Sequence, residues 1–118
     1  MPKHTQPHVF IKLVLCTSRS IAYHSDEAMY DPDSTVGDNI HKHLVSRFSQ
    51  AFRTLKLSVE AQGYEVFHEF YVDTLYGEDF DLTISNRDDD ELMSLVSAFE
   101  EEAAFILDDL PDELFATQ

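Results

Sequence analysis

"HVFIKLVLCTS", residues 8–18, is the stretch that decides the fold of this 118-residue chain. It is short, rich in valine, isoleucine and leucine, and preceded by Pro7. Apolar residues occupy both of its alternating faces, which is typical of a strand with structure on either side. We therefore predict that residues 8–18 form a central β-strand around which the other elements are arranged.

The chain after this strand is mostly loop, with a possible second strand over 20–24. A helix is then predicted over 35–62, with Ser34 as its N-cap and Gly63 as the residue just beyond its C-terminus. Apolar residues recur there at three- and four-residue steps and form one stripe: Val36, Ile40, Leu44, Phe48, Phe52, Leu55 and Val59.

Residues 64–85 are predicted to form a β-hairpin. Its first strand, 64–76, is aromatic and β-branched, and carboxylates recur at every fourth residue on one of its faces. A turn at 77–79 leads to a second strand, in which Phe80, Leu82 and Ile84 alternate with polar residues.

A final helix is predicted over 87–110, with Ser85 or Asn86 as its cap and Pro111 as its end. The acidic residues of its first turn suit the positive end of the helix dipole. One sector of this helix is apolar: Leu92, Leu95, Val96, Phe99, Ala103, Ile106, Leu107 and Leu110.

The predicted element order is therefore β-α-β-β-α. The simplest fold for this order is α+β: a small antiparallel sheet of three to four strands with two amphipathic helices packed on one face. An apolar content of 43%, including nine Phe, supplies a core. We expect residues 1–118 to form a single domain, with 111–118 as a possible short tail.

Charge is distributed very unevenly along the chain, whose net charge is −15. Residues 1–63 carry seven basic and six acidic side chains, whereas residues 64–118 carry 17 carboxylates and a single basic residue, Arg87. Such asymmetry indicates an electrostatic partner, although acidic surfaces also occur for solubility and in halophilic proteins. A halophile would not be expected to keep a near-neutral first half.

The sign of the charge excludes several partners. Nucleic acid and anionic membrane both attract lysine and arginine, so we expect neither to bind the acidic half directly. The longest apolar run, 13–16, is far too short to span a bilayer, and we predict no signal peptide. A single cysteine, Cys16, precludes an intrachain disulfide and fits a reducing compartment, so we expect a cytoplasmic protein.

Phe105 departs from the pattern of the last helix. At about 100° per residue it lies almost opposite the apolar sector, among Glu101, Asp108 and Asp109. Three interpretations are open: the ring is an ordinary lone apolar residue at the surface, Leu114 and Phe115 fold back and cover it, or it is an exposed contact within a polar rim.

These features favour a protein that binds a basic, nucleic-acid-binding protein and occupies the groove where phosphates normally lie. In size, composition and charge the chain resembles DNA-mimic proteins, such as phage inhibitors and small regulators of nucleoid proteins, but no motif ties it to one family. The predicted contact residues are Glu65, Glu69, Asp73, Glu78, Asp79, Asp81, Asp88, Asp89, Asp90, Glu91, Glu100, Glu101, Phe105, Asp108, Asp109, Asp112 and Glu113.

Two alternatives remain open from the sequence: an acidic inhibitor or immunity-type protein that binds a basic enzyme without imitating DNA, and a small enzyme with an unrecognised site. His41 and His43 point to different sides of their helix, and paired-cysteine or HExxH zinc motifs are missing. Nucleophile elbows and phosphate-binding glycine loops are missing as well. We predict no catalytic residues, no metal and no cofactor; the oligomeric state is left open.

Overall fold

The computed structural model describes residues 7–25, 33–73 and 78–115, and it confirms the α+β class. These residues form three strands, three α-helices and one 3₁₀ turn. In chain order they are β1 (His8–Cys16), α1 (Ser18–Ser25), α2 (Thr35–Ala61), β2 (Glu65–Asp73), β3 (Phe80–Ile84), α3 (Asp90–Asp108) and the 3₁₀ turn Asp112–Phe115.

β1 is the central strand, as its sequence predicts. The sheet order is β2-β1-β3, so β1 is hydrogen-bonded on both edges. Four alternate side chains of β1 are completely buried against the helices: Val9, Ile11, Leu13 and Leu15. The most apolar strand therefore lies in the centre of the sheet, where its side chains are buried most completely.

The predicted antiparallel sheet and its hairpin are wrong, because the sheet is mixed and β2 does not pair with β3. β2 runs parallel to β1, with Leu13 opposite Phe70, and β3 runs antiparallel on the other edge, with Leu13 opposite Leu82. The helical crossover after β1 returns the chain to the starting end of that strand, which makes the next strand parallel.

The last residue of β2 and the first residue of β3 both pair with the carboxyl end of β1. The backbone N–H of Cys16 donates a hydrogen bond to the carbonyl oxygen of Asp79, 2.9 Å away. Of the predicted turn 77–79, Gly77 lies outside the described residues. The turn residues therefore precede a new strand, but that strand pairs with β1 instead of its sequence neighbour.

The possible strand over 20–24 is also wrong, since these residues belong to α1. The Ile21 N–H donates to the carbonyl oxygen of Thr17 at 3.0 Å, an α-helical bond over four residues. Ile21 is completely buried, while Tyr23 is exposed. A short segment with so few apolar residues fits a helix as well as a strand. The spacing of its apolar residues therefore does not distinguish the two.

α2 matches its prediction closely. Ser34 caps it, because the Ser34 hydroxyl oxygen accepts a hydrogen bond from the Gly37 N–H at 3.1 Å. Gly63 follows its C-cap with a φ of +96°, a conformation that side chains other than glycine rarely adopt. Of the predicted apolar stripe, Val36 is partly buried and the other six residues are buried.

α3 begins at Asp90, three residues later than predicted, and its cap is Asp89 rather than Ser85 or Asn86. The Asp89 carboxylate accepts hydrogen bonds from the N–H groups of Glu91 and Leu92, at 3.0 and 3.2 Å. Aspartate is as good an N-cap as serine, and Asp89 is the one closest to the first buried residue, Leu92.

α2 and α3 place aromatic rings against the same face of the sheet. The Phe52 ring lies 5.9 Å from Phe70, and the rings of Phe48 and Phe99 lie 5.5 and 6.0 Å from Phe80. The face of the sheet opposite these helices carries apolar side chains that are not part of this core. It is called the open sheet face below.

Candidate protein-interaction surfaces

The predicted contact residues do not gather on one surface. They fall on the open sheet face, on the side of α3 that points away from the core, around a cleft beside β3, and on the 3₁₀ turn. The following paragraphs describe these places in turn, because each presents a different combination of charge and apolar area.

The outer face of α3 is centred on Phe105, whose ring is 57% exposed. Four carboxylates stand three or four residues away along the helix, at the spacings that place side chains side by side. They are Glu101, Glu102, Asp108 and Asp109, and all four are exposed. Glu102 was missing from the predicted set, although its spacing of three from Phe105 was visible in the sequence.

The described residues of the C-terminal segment do not cover the ring of Phe105. Leu114 packs against the buried core, and its carbonyl oxygen accepts a hydrogen bond from Asn39 Nδ2 of α2 at 3.1 Å. The described residues therefore leave Phe105 exposed, and cover by Leu114 and Phe115 is not observed.

The carboxylates of α3 have no cationic partner among residues 7–25, 33–73 and 78–115. The ion pairs recorded there join His8 to Glu65 at 3.8 Å and Lys42 to Asp38 at 2.9 Å. The carboxylates around Phe105 are therefore not neutralised by direct ion pairs within the described residues.

The sequence predicts that the carboxylates at the amino end of α3 bind a partner. In the structure one of them, Asp89, is the N-cap of the helix. Asp89 accepts a hydrogen bond from the Tyr64 hydroxyl in addition to its two backbone bonds. The Tyr64 hydrogen bond, followed by that from Leu92 N–H, lowers the pKa of Asp89 below its ordinary value. Its neighbours Asp88 and Asp90 are exposed and take no part in the cap hydrogen bonds.

The cleft beside β3 brings together charges of both signs. It has a volume of about 350 Å³ and is lined by Glu78, Asp79, Asp81, Glu100 and Arg87. The only basic residue of the second half of the chain therefore lies among predicted acidic contact residues. Asp112 and Glu113 are exposed on the 3₁₀ turn, apart from this cleft.

The open sheet face combines carboxylates with aromatic rings. Side chains alternate between the two faces of a strand, and those of β2 on this face are Glu65, Phe67, Glu69, Tyr71 and Asp73. The rings of Phe67 and Tyr71 are 48% and 50% exposed. The two rings were not among the predicted contact residues. The sequence nevertheless shows that they alternate with the acidic residues at steps of two.

Local contacts hold part of this face in place. The Tyr71 hydroxyl donates a hydrogen bond to Glu69, and the His8 ring lies 5.5 Å from the ring of Phe67. On β1, the register places Lys12 beside Glu69 and Phe10 beside Phe67. The face is thus a partly ordered surface of rings and carboxylates with one lysine in its middle.

Comparison with known proteins yields no family: no family model, curated protein or solved structure matches the chain. Within the described ranges, no helix is both long and apolar enough to cross a membrane. The same residues contain no group of three or more histidine, cysteine, aspartate or glutamate side chains arranged to hold a metal ion.

Proposed function

We propose that this protein is an acidic interaction module that occupies the nucleic-acid-binding surface of a basic partner protein. The observation that carries the proposal is Phe105: a ring that is 57% exposed, bordered by carboxylates on both sides along α3. Aromatic anchors inside a polar rim dominate the binding energy of many protein interfaces.

The electrostatics of the chain support a basic partner. Like charges packed on one surface repel one another and destabilise the folded state. Binding of lysine and arginine side chains around Phe105 would relieve that repulsion, and it would also accelerate association. We further propose that the protein acts in the cytoplasm, because its single cysteine fits a reducing compartment.

One observation favours the alternative of an acidic inhibitor without mimicry. The 19 residues of α3 carry six carboxylates. At about 1.5 Å per residue this is roughly one charge per 5 Å of helix, whereas duplex DNA carries one per ~1.7 Å of its axis. The carboxylates of α3 are therefore sparser than phosphates. A partner could bind them through a basic surface that is not its nucleic-acid site.

Displacement of DNA separates the two functions. The immobilised protein would capture partners from an extract of its source organism, and each captured protein would be purified and bound to fluorescent DNA duplexes of two unrelated sequences. Mimicry predicts that this protein releases both duplexes, as measured by fluorescence anisotropy. A stable complex of partner, DNA and this protein would overturn mimicry and support the alternative.

Salt provides the accompanying control. Exposed charges are screened over ~8 Å at physiological ionic strength, so affinity for the partner should fall steeply as salt is raised. An affinity that is unchanged between low and high salt would contradict both functions, since both depend on the same carboxylates.

A further inference from the structure

We infer that the outer edge of β2 receives an extended basic segment of the partner as a fourth strand of the sheet. The inference rests on the proposed function and names the surface and the kind of segment. β2 has nine residues and lies at the edge of the sheet, and within the described residues it pairs with β1 alone.

The backbone of β2 presents unpaired groups on that edge. The Glu65 N–H donates to the carbonyl oxygen of Pro7, 2.8 Å away, so Glu65 directs its backbone groups towards β1. Because these directions alternate along a strand, the N–H and C=O groups of the intervening residues point outwards. The outward residues are Val66, His68, Phe70 and Val72.

The three acidic side chains of β2 are its only common protection as an edge strand, and they do not oppose a basic segment. Natural edges are commonly blocked by proline, by lysine or by a bulge, and β2 contains neither proline nor lysine and pairs with β1 in unbroken register. An exposed edge with aromatic side chains is a template for strand addition, the mode in which backbone hydrogen bonds supply affinity.

The side chains beside this edge define the chemistry of the added strand. On the open sheet face, acid and ring alternate from Glu65 to Asp73 at steps of roughly 6.6–6.8 Å. An added strand matches this pattern when it carries arginine or lysine opposite each acid and apolar residues opposite Phe67 and Tyr71. The pattern is the same in both chain directions, so it accepts a parallel or an antiparallel segment.

The same pattern argues against a second copy of this chain. In antiparallel pairing centred on Glu69, that residue would face its own counterpart and Glu65 would face Asp73. Like charges directly opposite each other destabilise a sheet. A register shift by two residues places the acids opposite rings and gains no charge pair, so charge complementarity selects a basic segment from another protein.

A peptide probe tests this inference directly. The probe is a capped nine-residue peptide that begins and ends with arginine and repeats the unit arginine-threonine-valine-threonine. Titrated into the ¹⁵N-labelled protein, it should shift the amide signals of Val66, His68, Phe70 and Val72 and slow their exchange with solvent. A scrambled peptide of equal composition should not do so.

Two charge reversals serve as a matched pair. Glu69→Lys turns the central favourable pair into like charges, and we expect the probe to bind about ten-fold more weakly. Glu60→Lys changes the net charge equally on α2, outside the predicted contact residues, and should leave probe binding within about two-fold. Shifts confined to α3, equal binding of the scrambled peptide, or equal losses in both variants would overturn strand addition.

The inference and the proposed function can fail separately. If Glu69→Lys displaces DNA from a captured partner as well as the unaltered protein does, strand addition at β2 is refuted while the proposed function stands. If the probe pairs with β2 but no captured partner loses its DNA, the proposed mimicry is refuted while the strand-addition surface stands.

Discussion

The carbonyl oxygen of Leu114 accepts a hydrogen bond from the Nδ2 amide of Asn39, 3.1 Å away, and this bond fixes the 3₁₀ turn to α2. Leu114 packs against the core on the same side. Leu114 is thus drawn into the core instead of covering Phe105, whose ring stays at the surface.

Phe105→Ala should change the free energy of unfolding by no more than about 0.5 kcal/mol, because exposed substitutions rarely cost more. The same substitution should weaken binding of the partner by ~1–2 kcal/mol, since the ring is the apolar centre of the acidic face. Denaturant unfolding and a binding titration measure the two effects. As the matched control, Phe99→Ala removes a ring that is only 4% exposed and should cost about 3–5 kcal/mol of stability.

Truncation after Pro111 completes this test. It removes the Leu114 contact and should destabilise the protein, but its effect should add to that of Phe105→Ala, as independent sites do. If Phe105→Ala instead destabilises the full-length protein but not the truncated one, the tail covers the ring in solution. That result would refute the surface anchor.

A pair of charge reversals distinguishes a shaped acidic face from net charge. Glu101→Lys and Glu60→Lys each change the net charge by the same amount, and both residues are exposed on helices. We expect Glu101→Lys to slow association with the partner several-fold, because charges at the border of an interface steer encounter. Glu60 lies at the end of α2, and its reversal should have a smaller effect. Equal association rates in stopped-flow measurements would mean that net charge alone matters.

Apart from α1, the helices and strands could be predicted from local pattern because each has a periodic apolar face. Ser34 and Gly63 bounded α2, and the apolar residues on both faces of 8–18 placed β1 in the centre. Strand pairing could not be predicted in this way. Turn residues at 77–79 indicate that the chain reverses, but they carry no information on which edge of β1 is still available.

The candidate surfaces were predictable only in part. Helical spacing was sufficient to place Phe105 among carboxylates, since neighbours on a helix follow from the sequence alone. The open sheet face depends on which side of β2 the helices cover, which is a property of the tertiary structure. The exposure of Phe67 and Tyr71 could therefore not be predicted from the sequence.

Gly63→Ala tests the end of α2. Open space surrounds the position where a Cβ atom would be added, so no steric contact opposes the substitution. The φ of +96° nevertheless strains any L-residue, and we expect a loss of about 1–2 kcal/mol in the free energy of unfolding. Gly63→Asn should lose less, because asparagine tolerates positive φ better than alanine. Equal stability of all three proteins in urea would show that this backbone conformation is not maintained.

The cap of α3 should make stability depend on pH in a defined acidic window. The Tyr64 hydrogen bond lowers the pKa of folded Asp89 below its ordinary value of 3.8, so the unfolded chain binds this proton more readily. The stabilisation is therefore complete above the ordinary value and is lost as the pH falls through the lowered folded pKa. Thermal midpoints measured from about pH 6 to about pH 2 should fall less in Asp89→Asn than in the unaltered protein.

Two further variants test whether the Asp89 cap causes this pH dependence of stability. Tyr64→Phe removes the hydroxyl that lowers the Asp89 pKa, so the loss of stability on acidification should be smaller and should be complete at a higher pH. Asp88→Asn removes the same charge one residue earlier, outside the cap, and should leave the window where it is. If Asp88→Asn and Asp89→Asn flatten the profile equally, the general repulsion among carboxylates, rather than the hydrogen bonds of Asp89, governs stability in acid.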